Sequence, residues 1–249
     1  MKPTPRDSAI YPDLIRYLQA RLLESSQIPA DRKKVLERVS AYILERLRNS
    51  KPARLTFICT HNARRSQMAQ IWAQTAARFF DLRGVATCSG GTEATTFDPR
   101  AVSAMVRAGF RAERCTTEDN TVYLVHAGSE ISPARAFSKA YHDPTNPQHG
   151  FCAVLTCSSA DRECPVIPSA DRRVLVPYED PKSADGTDRE AEVYDERCRE
   201  ICREMVWVFA RAAGTNAVAE ADKVTGTARR PGADPPQNKP ERDHGYNDE

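Results

Sequence analysis

A cysteine and an arginine six positions apart, Cys59 and Arg65, form the most reactive pattern in this sequence. The short apolar segment from Leu55 to Ile58 predicts a strand before the cysteine, and the run from Gln67 to Phe80 predicts a helix after the arginine. A loop wrapped against a helix N-terminus directs backbone N–H groups inward, and the helix dipole adds partial positive charge. The pattern therefore predicts a site for a tetrahedral oxyanion.

The side chains of this loop have matching chemical roles. Arg65 provides a planar pair of donors for two oxygens of the anion. The same positive field favours the thiolate form of Cys59, which is the nucleophilic form. Ser66 is placed to donate its hydroxyl to that sulfur, and Asn62 suits a left-handed backbone conformation. The expected substrate-binding residues are Thr60, His61, Asn62, Ala63, Arg64, Arg65 and Ser66.

An aspartate is the candidate proton donor. Departure of an oxygen from a bound oxyanion requires a proton beside the leaving group. Asp180 precedes Pro181 and follows the predicted strand from Arg173 to Val176, which places it at the same sheet edge as Cys59. Asp-Pro pairs also form turns, and this sequence has others, so a simple turn is the competing interpretation.

Two further cysteines lie in a comparable position. Cys157 ends the predicted strand from Phe151 to Thr156, and Cys164 follows after six residues. Their placement and spacing agree with a thiol relay, whereas the alternative is one buried cysteine and one loop cysteine. Cys198 and Cys202 share a face of the last predicted helix, and we expect them to pack in the core without binding zinc. No metal or cofactor is predicted.

Together these residues resemble one family, the low-molecular-weight protein tyrosine phosphatases and the thioredoxin-coupled arsenate reductases of the same fold. The resemblance covers roughly residues 54–211. It implies that Cys59 attacks arsenate, Asp180 protonates the departing oxygen, and Cys157 attacks the adduct to release arsenite. Cys164 then resolves the resulting disulfide, and a thioredoxin-like reductant is the implied partner.

The sequence departs from the family at several positions. His61 stands where the family usually has a small residue such as Gly, and Gln70 replaces a Glu that helps to form a cation site in some of the reductases. No bound potassium ion is therefore expected. Lys182 and Ser183 follow the Asp-Pro pair, where phosphotyrosine phosphatases usually carry an aromatic residue.

Two other functions remain open at this stage. The same pocket suits a phosphatase that hydrolyses phosphomonoesters through a cysteinyl-phosphate intermediate, although Lys182 weakens the case for a phosphotyrosine substrate. A binding module that recognises a phosphorylated partner is disfavoured, because binding alone does not require a nucleophile.

Composition limits the possible partners. The 249 residues carry a formal net charge of +2, which gives no reason to expect nucleic acid or membrane binding. No apolar run approaches the roughly 20 residues of a spanning helix, and no secretory signal is visible. We expect a cytoplasmic enzyme whose eight cysteines do not form a disulfide framework.

Alternating strands and helices must position these residues. Their order predicts an α/β fold, a four-stranded mainly parallel sheet with helices on both faces, as in the low-molecular-weight phosphatases. Apolar residues at helical spacing predict a helical hairpin within residues 1–52, ahead of the α/β domain at 53–213. Residues 111–150 are expected to form an inserted segment of loops, and 214–249 a disordered tail.

Overall fold

The computed structural model describes residues 10–117, 119–163, 166–167 and 169–214. Within these residues the helices are α1 (Pro12–Leu23), α2 (Ala30–Arg48), α3 (Arg65–Phe79), α4 (Pro99–Arg107), α5 (Ser158–Glu163) and α6 (Glu190–Ala212). The strands are β1 (Ala53–Cys59), β2 (Val85–Gly91), β3 (Arg111–Arg114), β4 (Tyr123–His126), β5 (Ala134–Ala136), β6 (Phe151–Leu155) and β7 (Ala170–Leu175). Short 3-10 helices span Glu24–Gln27 and Pro181–Ala184.

A four-stranded parallel sheet forms the centre of the fold, in the order β2-β1-β6-β7. The two inner strands, β1 and β6, are buried along almost their whole length. Strands covered on both faces need apolar side chains on both, which explains why these two strands give continuous apolar runs in the sequence. The predicted fold class is confirmed.

Alternate residues of β1 and β6 enter two hydrophobic cores. Phe57 belongs to the larger core, which also contains Trp72 of α3 and Phe209 of α6. Ile58 and Leu155 point to the opposite face and pack in a smaller cluster that includes Ala160 of α5. Successive side chains of a strand point to opposite faces, so one short segment supports both layers.

Helices α1 and α2 lie in the segment predicted as an N-terminal hairpin, and each of them packs against α6. Leu18 of α1 and Ile43 of α2 are fully buried in the larger core, so the hairpin and the sheet share one hydrophobic interior. A buried ion pair adds to this contact, because Arg32 donates to both carboxylate oxygens of Glu204 at 2.7 and 2.9 Å. The apolar side chains of α1 and α2 are therefore part of the core that supports the sheet.

The expectation that residues 111–150 form only loops was wrong. Strands β3, β4 and β5 make a separate antiparallel sheet in that order. These strands have three or four residues each, and β3 is largely exposed and polar. An alternating pattern cannot be recognised over so few residues, which is why the sequence signal was missed.

The last predicted strand was too short at its start, because β7 begins at Ala170 and not at Arg173. Apart from Gly214, the predicted disordered tail lies outside the described residues. No helix in the described part of the chain is both long and apolar enough to cross a membrane.

Candidate active site

The predicted oxyanion loop lies at the carboxyl edge of the parallel sheet. Cys59 is the last residue of β1, and Arg65 is the first residue of α3. Ligand sites of open α/β sheets lie at this edge. Asn62 has a φ of +47°, which confirms the predicted left-handed conformation in the middle of the loop. Asparagine tolerates this region better than other non-glycine residues, so the local sequence fits the turn.

Five successive carbonyl groups of the loop are held by hydrogen bonds. Backbone N–H groups bind three of them: Thr92 N donates to Cys59 O at 3.1 Å, Glu93 N to Thr60 O at 2.9 Å, and Asp98 N to Ala63 O at 3.0 Å. Side chains bind the other two: Ser138 Oγ donates to His61 O at 2.9 Å, and Gln67 Nε2 to Asn62 O at 3.1 Å. All peptide bonds among the described residues are trans. A trans peptide unit points its N–H away from its C=O, so the amides of residues 60–64 are directed away from these partners and into the loop.

A chain of hydrogen bonds fixes the cysteine sulfur. Cys59 is buried, and its Sγ lies 3.1 Å from Ser66 Oγ. Asn62 Nδ2 donates to the same Ser66 oxygen at 2.8 Å, and Asn62 Oδ1 accepts from the backbone N of Lys139 at 3.0 Å. Because the Ser66 oxygen already accepts one bond, its own proton is available for the sulfur, and this stabilises a negative charge there.

Gly91 supports the loop from the neighbouring strand. It is the last residue of β2, which pairs with β1 beside Cys59. A side-chain carbon on Gly91 would lie 2.5 Å from the oxygen of Thr60 and 2.8 Å from the nitrogen of Asn62. Only glycine permits this close approach of two backbones.

Replacing Gly91 by alanine is expected to displace the oxyanion loop. The added carbon also meets the backbone oxygen of Glu93 at 2.3 Å, so backbone must move rather than a flexible side chain. Displacements of about 1 Å at a reacting group cost on the order of a hundredfold in rate. Steady-state turnover of Gly91→Ala measures this loss. Gly214→Ala is the control, because no described atom lies within 4 Å of the added carbon and the strain from its φ of +65° falls after the end of α6, outside the loop. Equal activity of both variants would contradict the assigned role.

Arg65 and the predicted proton donor are in direct contact. Arg65 Nη2 donates to Asp180 Oδ2 at 2.7 Å, and Nη1 donates to the carbonyl oxygen of Tyr178 at 3.1 Å. The Nε of Arg65 is buried and has no hydrogen-bond partner among the described residues. An unsatisfied buried donor on a guanidinium is a position where an anion can bind.

The environment of Asp180 favours its ionised form. Burial alone would raise the pKa of Asp180, but hydrogen bonds from Arg64 and the positive charge of Arg65 outweigh it and hold that pKa below the usual range. Asp180 also accepts from Lys182 N at the start of the 3-10 helix. A general acid must be protonated when it acts, so the arginine contacts of this carboxylate bear directly on its chemistry.

The side chain of Arg64 is directed to carboxylates. It donates to both oxygens of Asp180 at 2.8 and 3.1 Å and to Asp98 Oδ2 at 3.2 Å. Asp98 caps α4 by accepting from Arg100 N at 2.9 Å. Arg64 is one of the residues expected to bind substrate, and the contact of its side chain with Asp98 is not expected from the sequence. The Asp-Pro start of a helix is the signal from which the cap was predictable.

The second cysteine of the proposed relay lies next to the loop. Cys157 is buried in the same cluster as Cys59, and its Sγ lies 3.6 Å from Thr60 Oγ1. The backbone N of Ala160 donates to that sulfur at 3.3 Å. Cys164, the third cysteine of the pattern, lies outside the described residues.

Cys198 and Cys202 are both fully buried on α6. The Cys198 sulfur accepts from Trp72 Nε1 at 3.2 Å, and burial raises the pKa of the Cys198 thiol to about 12. Such a thiol behaves as a small apolar core residue. Among the described residues no group of three or more His, Cys, Asp or Glu side chains is arranged to hold a metal ion.

Comparison with known proteins gives relatives of one kind. No protein-family model matches the chain. An arsenate reductase of Bacillus licheniformis is 29% identical over 154 residues, which is 62% of this chain and 92% of that protein. An arsenate reductase of Bacillus subtilis is 29% identical over 144 residues, which is 58% of this chain and 85% of that protein.

Solved structures with a similar arrangement include a low-molecular-weight phosphotyrosine phosphatase from Vibrio cholerae, with a TM-score of 0.43, 15% identity, and coverage of 70% of this chain and 99% of that one. An arsenate reductase from Archaeoglobus fulgidus has a TM-score of 0.43 and 18% identity, and the match covers 63% of this chain and 98% of that one. The chain is therefore similar in sequence to arsenate reductases, over more than half of its own length and most of theirs.

Proposed function

We propose that this enzyme reduces arsenate to arsenite with a relay of three thiols. The observation that carries the proposal is the second cysteine: Cys157 lies buried beside the oxyanion loop, in one cluster with Cys59. Phosphate ester hydrolysis needs one cysteine, whereas reduction of arsenic(V) to arsenic(III) needs two electrons, which two thiols supply by forming one disulfide.

The first step is attack of the Cys59 thiolate on arsenic. Arg65 and the inward amides bind the oxygens of the anion, and Ser66 stabilises the sulfur before attack. An oxygen leaves the arsenic as water. Asp180 supplies the proton, which it can bind once Arg65 turns to the anion, because loss of that positive charge and the nearby negative charge both raise the pKa of Asp180. Asp180 is adjacent to Arg65 in the structure, so the acid and the binding group meet at the same anion.

The second step transfers electrons to arsenic. The Cys157 thiolate attacks the Cys59 sulfur, the sulfur–arsenic bond breaks, and its electron pair leaves with arsenic as arsenite. Cys59 would lie opposite Thr156 if the register of β1 and β6 were extended by one residue, and Cys157 is the next residue along. Strands about 5 Å apart and an offset of one residue, about 3.3 Å, put the two Cα atoms about 6 Å apart, which is within the Cα separation of a disulfide.

The third step restores the loop cysteine. Cys164 attacks Cys157 by thiol exchange, so Cys59 is released as a thiol and a Cys157–Cys164 disulfide is formed. A thioredoxin-like protein reduces that disulfide and is oxidised in turn. The relay requires a reducing compartment, and we therefore place the enzyme in the cytoplasm.

Phosphatase activity is the alternative, in which water, assisted by Asp180, hydrolyses a phosphorylated Cys59. The relatives named arsenate reductases support the reductase, and Lys182 after the Asp-Pro pair offers no aromatic ring to a phosphotyrosine. A single comparison separates the two activities, since only the reductase needs Cys157 and Cys164.

The test measures arsenate reduction with thioredoxin, and hydrolysis of an aryl phosphate, for the wild type, Cys157→Ser and Cys164→Ser. We expect each variant to lose arsenate turnover while a single round of oxyanion attack at Cys59 persists. Cys115→Ser is the matched control, because that thiol is exposed on the inserted segment. Aryl phosphate hydrolysis without any arsenate turnover in the wild type would assign the enzyme to the phosphatases.

A further inference from the structure

Two arginines share one carboxylate at this site. Arg65 and Arg64 both bind Asp180, at 2.7 Å for Arg65 and at 2.8 and 3.1 Å for Arg64. Under the proposed function, Arg65 must turn to the oxyanion. Binding of the anion therefore competes with Asp180 for the Arg65 guanidinium, and the cost of this exchange depends on what else holds Asp180.

The hydrogen bonds of Arg64 keep its guanidinium in contact with Asp180. Its side chain is about nine-tenths buried, and it makes a two-toothed contact with the carboxylate. Its third nitrogen donates to Asp98 Oδ2 at 3.2 Å. A guanidinium bound to two carboxylates through three nitrogens has little freedom to reorient.

Asp98 is itself fixed by the fold. It caps α4, and its backbone N donates to Ala63 O in the oxyanion loop. The Tyr194 hydroxyl of α6 lies 3.4 Å from Asp98 Oδ2 and makes its shorter hydrogen bond, at 2.8 Å, to Asp185. The carboxylate that anchors Arg64 thus belongs to the same hydrogen-bond network that shapes the loop.

We infer that Arg64 is a positioning residue, which holds Asp180 beside the loop while Arg65 exchanges that carboxylate for the oxyanion. This inference rests on the proposed function. The two side chains have different roles. Arg65 binds the substrate, and Arg64, which is held by Asp98, keeps the proton donor Asp180 in place. Without Arg64, departure of Arg65 would leave a partly buried carboxylate unpaired, which is costly.

Inorganic phosphate is a suitable probe of this role, because its affinity for the loop can be measured without turnover. We expect Arg64→Gln to weaken phosphate binding by about tenfold, since one charge-assisted hydrogen bond must then be broken without compensation. Calorimetry measures the dissociation constant directly. The same variant is expected to lower kcat and to raise KM for arsenate, because the donor is misplaced and the anion meets more competition.

Two double variants separate positioning from net charge. Arg64→Gln with Asp180→Asn removes the competing carboxylate, and phosphate affinity is expected to return to the wild-type value. Arg64→Gln with Asp98→Asn has the same net charge but keeps the competitor at Asp180, so affinity is expected to stay low. A role of Arg64 in folding alone predicts equal behaviour of the two, and urea unfolding of each variant measures that role.

The outcomes are distinct. Recovery with Asp180→Asn and not with Asp98→Asn supports the positioning role. Recovery of phosphate affinity in both double variants would mean that Arg64 acts only through its net charge, and would overturn the inference. Unchanged phosphate affinity in Arg64→Gln would overturn it as well. A wild-type protein that binds neither phosphate nor arsenate would instead overturn the proposed function.

Discussion

Replacing Cys59 by serine is expected to remove arsenate reduction and any phosphate ester hydrolysis, by on the order of 10⁴-fold or more, as for loss of other enzymatic nucleophiles. A serine hydroxyl is not ionised at neutral pH, and no general base lies close to Cys59 among the described contacts of its sulfur, where the neighbour is the Ser66 hydroxyl. Turnover of both substrates under saturating conditions measures this loss.

Phosphate binding by Cys59→Ser is the internal control. The inward amides and Arg65 do not depend on the sulfur, so the dissociation constant for inorganic phosphate is expected to stay within a few fold of the wild-type value. Ser66→Ala is the graded comparison, because it retains the nucleophile and removes its hydrogen-bond partner. Appreciable turnover by Cys59→Ser would reject both enzymatic readings of the loop.

The oxyanion loop was predictable because its residues are consecutive. Strand, loop and helix follow one another within Leu55 to Phe79, and each signal is local: apolar residues, a left-handed Asn62, and the Ser66 that follows Arg65. Contacts of this kind are determined by nearest neighbours along the chain. A single sequence therefore carries most of the information.

The supports of the loop were not predictable in the same way. Gly91, Asp98 and Ser138 contact the loop although they lie well beyond it in the sequence, and each contact involves only one or two backbone atoms of the loop. The Asp-Pro start of α4 indicates a cap at Asp98 but not its contact with Ala63, and nothing local distinguishes the glycine of a close contact from that of a bend. The pairing of Arg64 with Asp180 likewise depends on the tertiary fold.

The inserted segment shows the same limit at the level of the fold. Strand β4 pairs with both of its neighbours although it has four residues, whereas the sequence alone indicates loops for all three strands. The Asn62 side chain binds the backbone of Lys139, just after that sheet, so the insertion contacts the oxyanion loop directly. Short strands acquire their structure from pairing and not from propensity.

Replacing Arg32 by alanine is expected to cost about 3 to 5 kcal/mol of unfolding free energy. Arg32 binds both oxygens of Glu204, whose side chain is only 4% exposed, so the variant leaves a buried carboxylate without its partner. Its guanidinium also lies 4.9 Å from the centre of the Tyr178 ring, and the Tyr178 carbonyl accepts from Arg65. Chemical denaturation of the variant measures the loss.

Two comparisons test the physical cause. The double variant Arg32→Met with Glu204→Leu removes both charges and is expected to recover most of the stability, because replacing a whole buried pair by apolar residues is often neutral. Arg107→Ala breaks an exposed pair with Asp195 and is expected to cost less than about 1 kcal/mol. If Arg32→Ala lowered the free energy of unfolding no more than Arg107→Ala does, the ion pair with Glu204 would not contribute to the packing of α2 against α6. The contact of Arg32 with Tyr178 would then add no stability near the active site either.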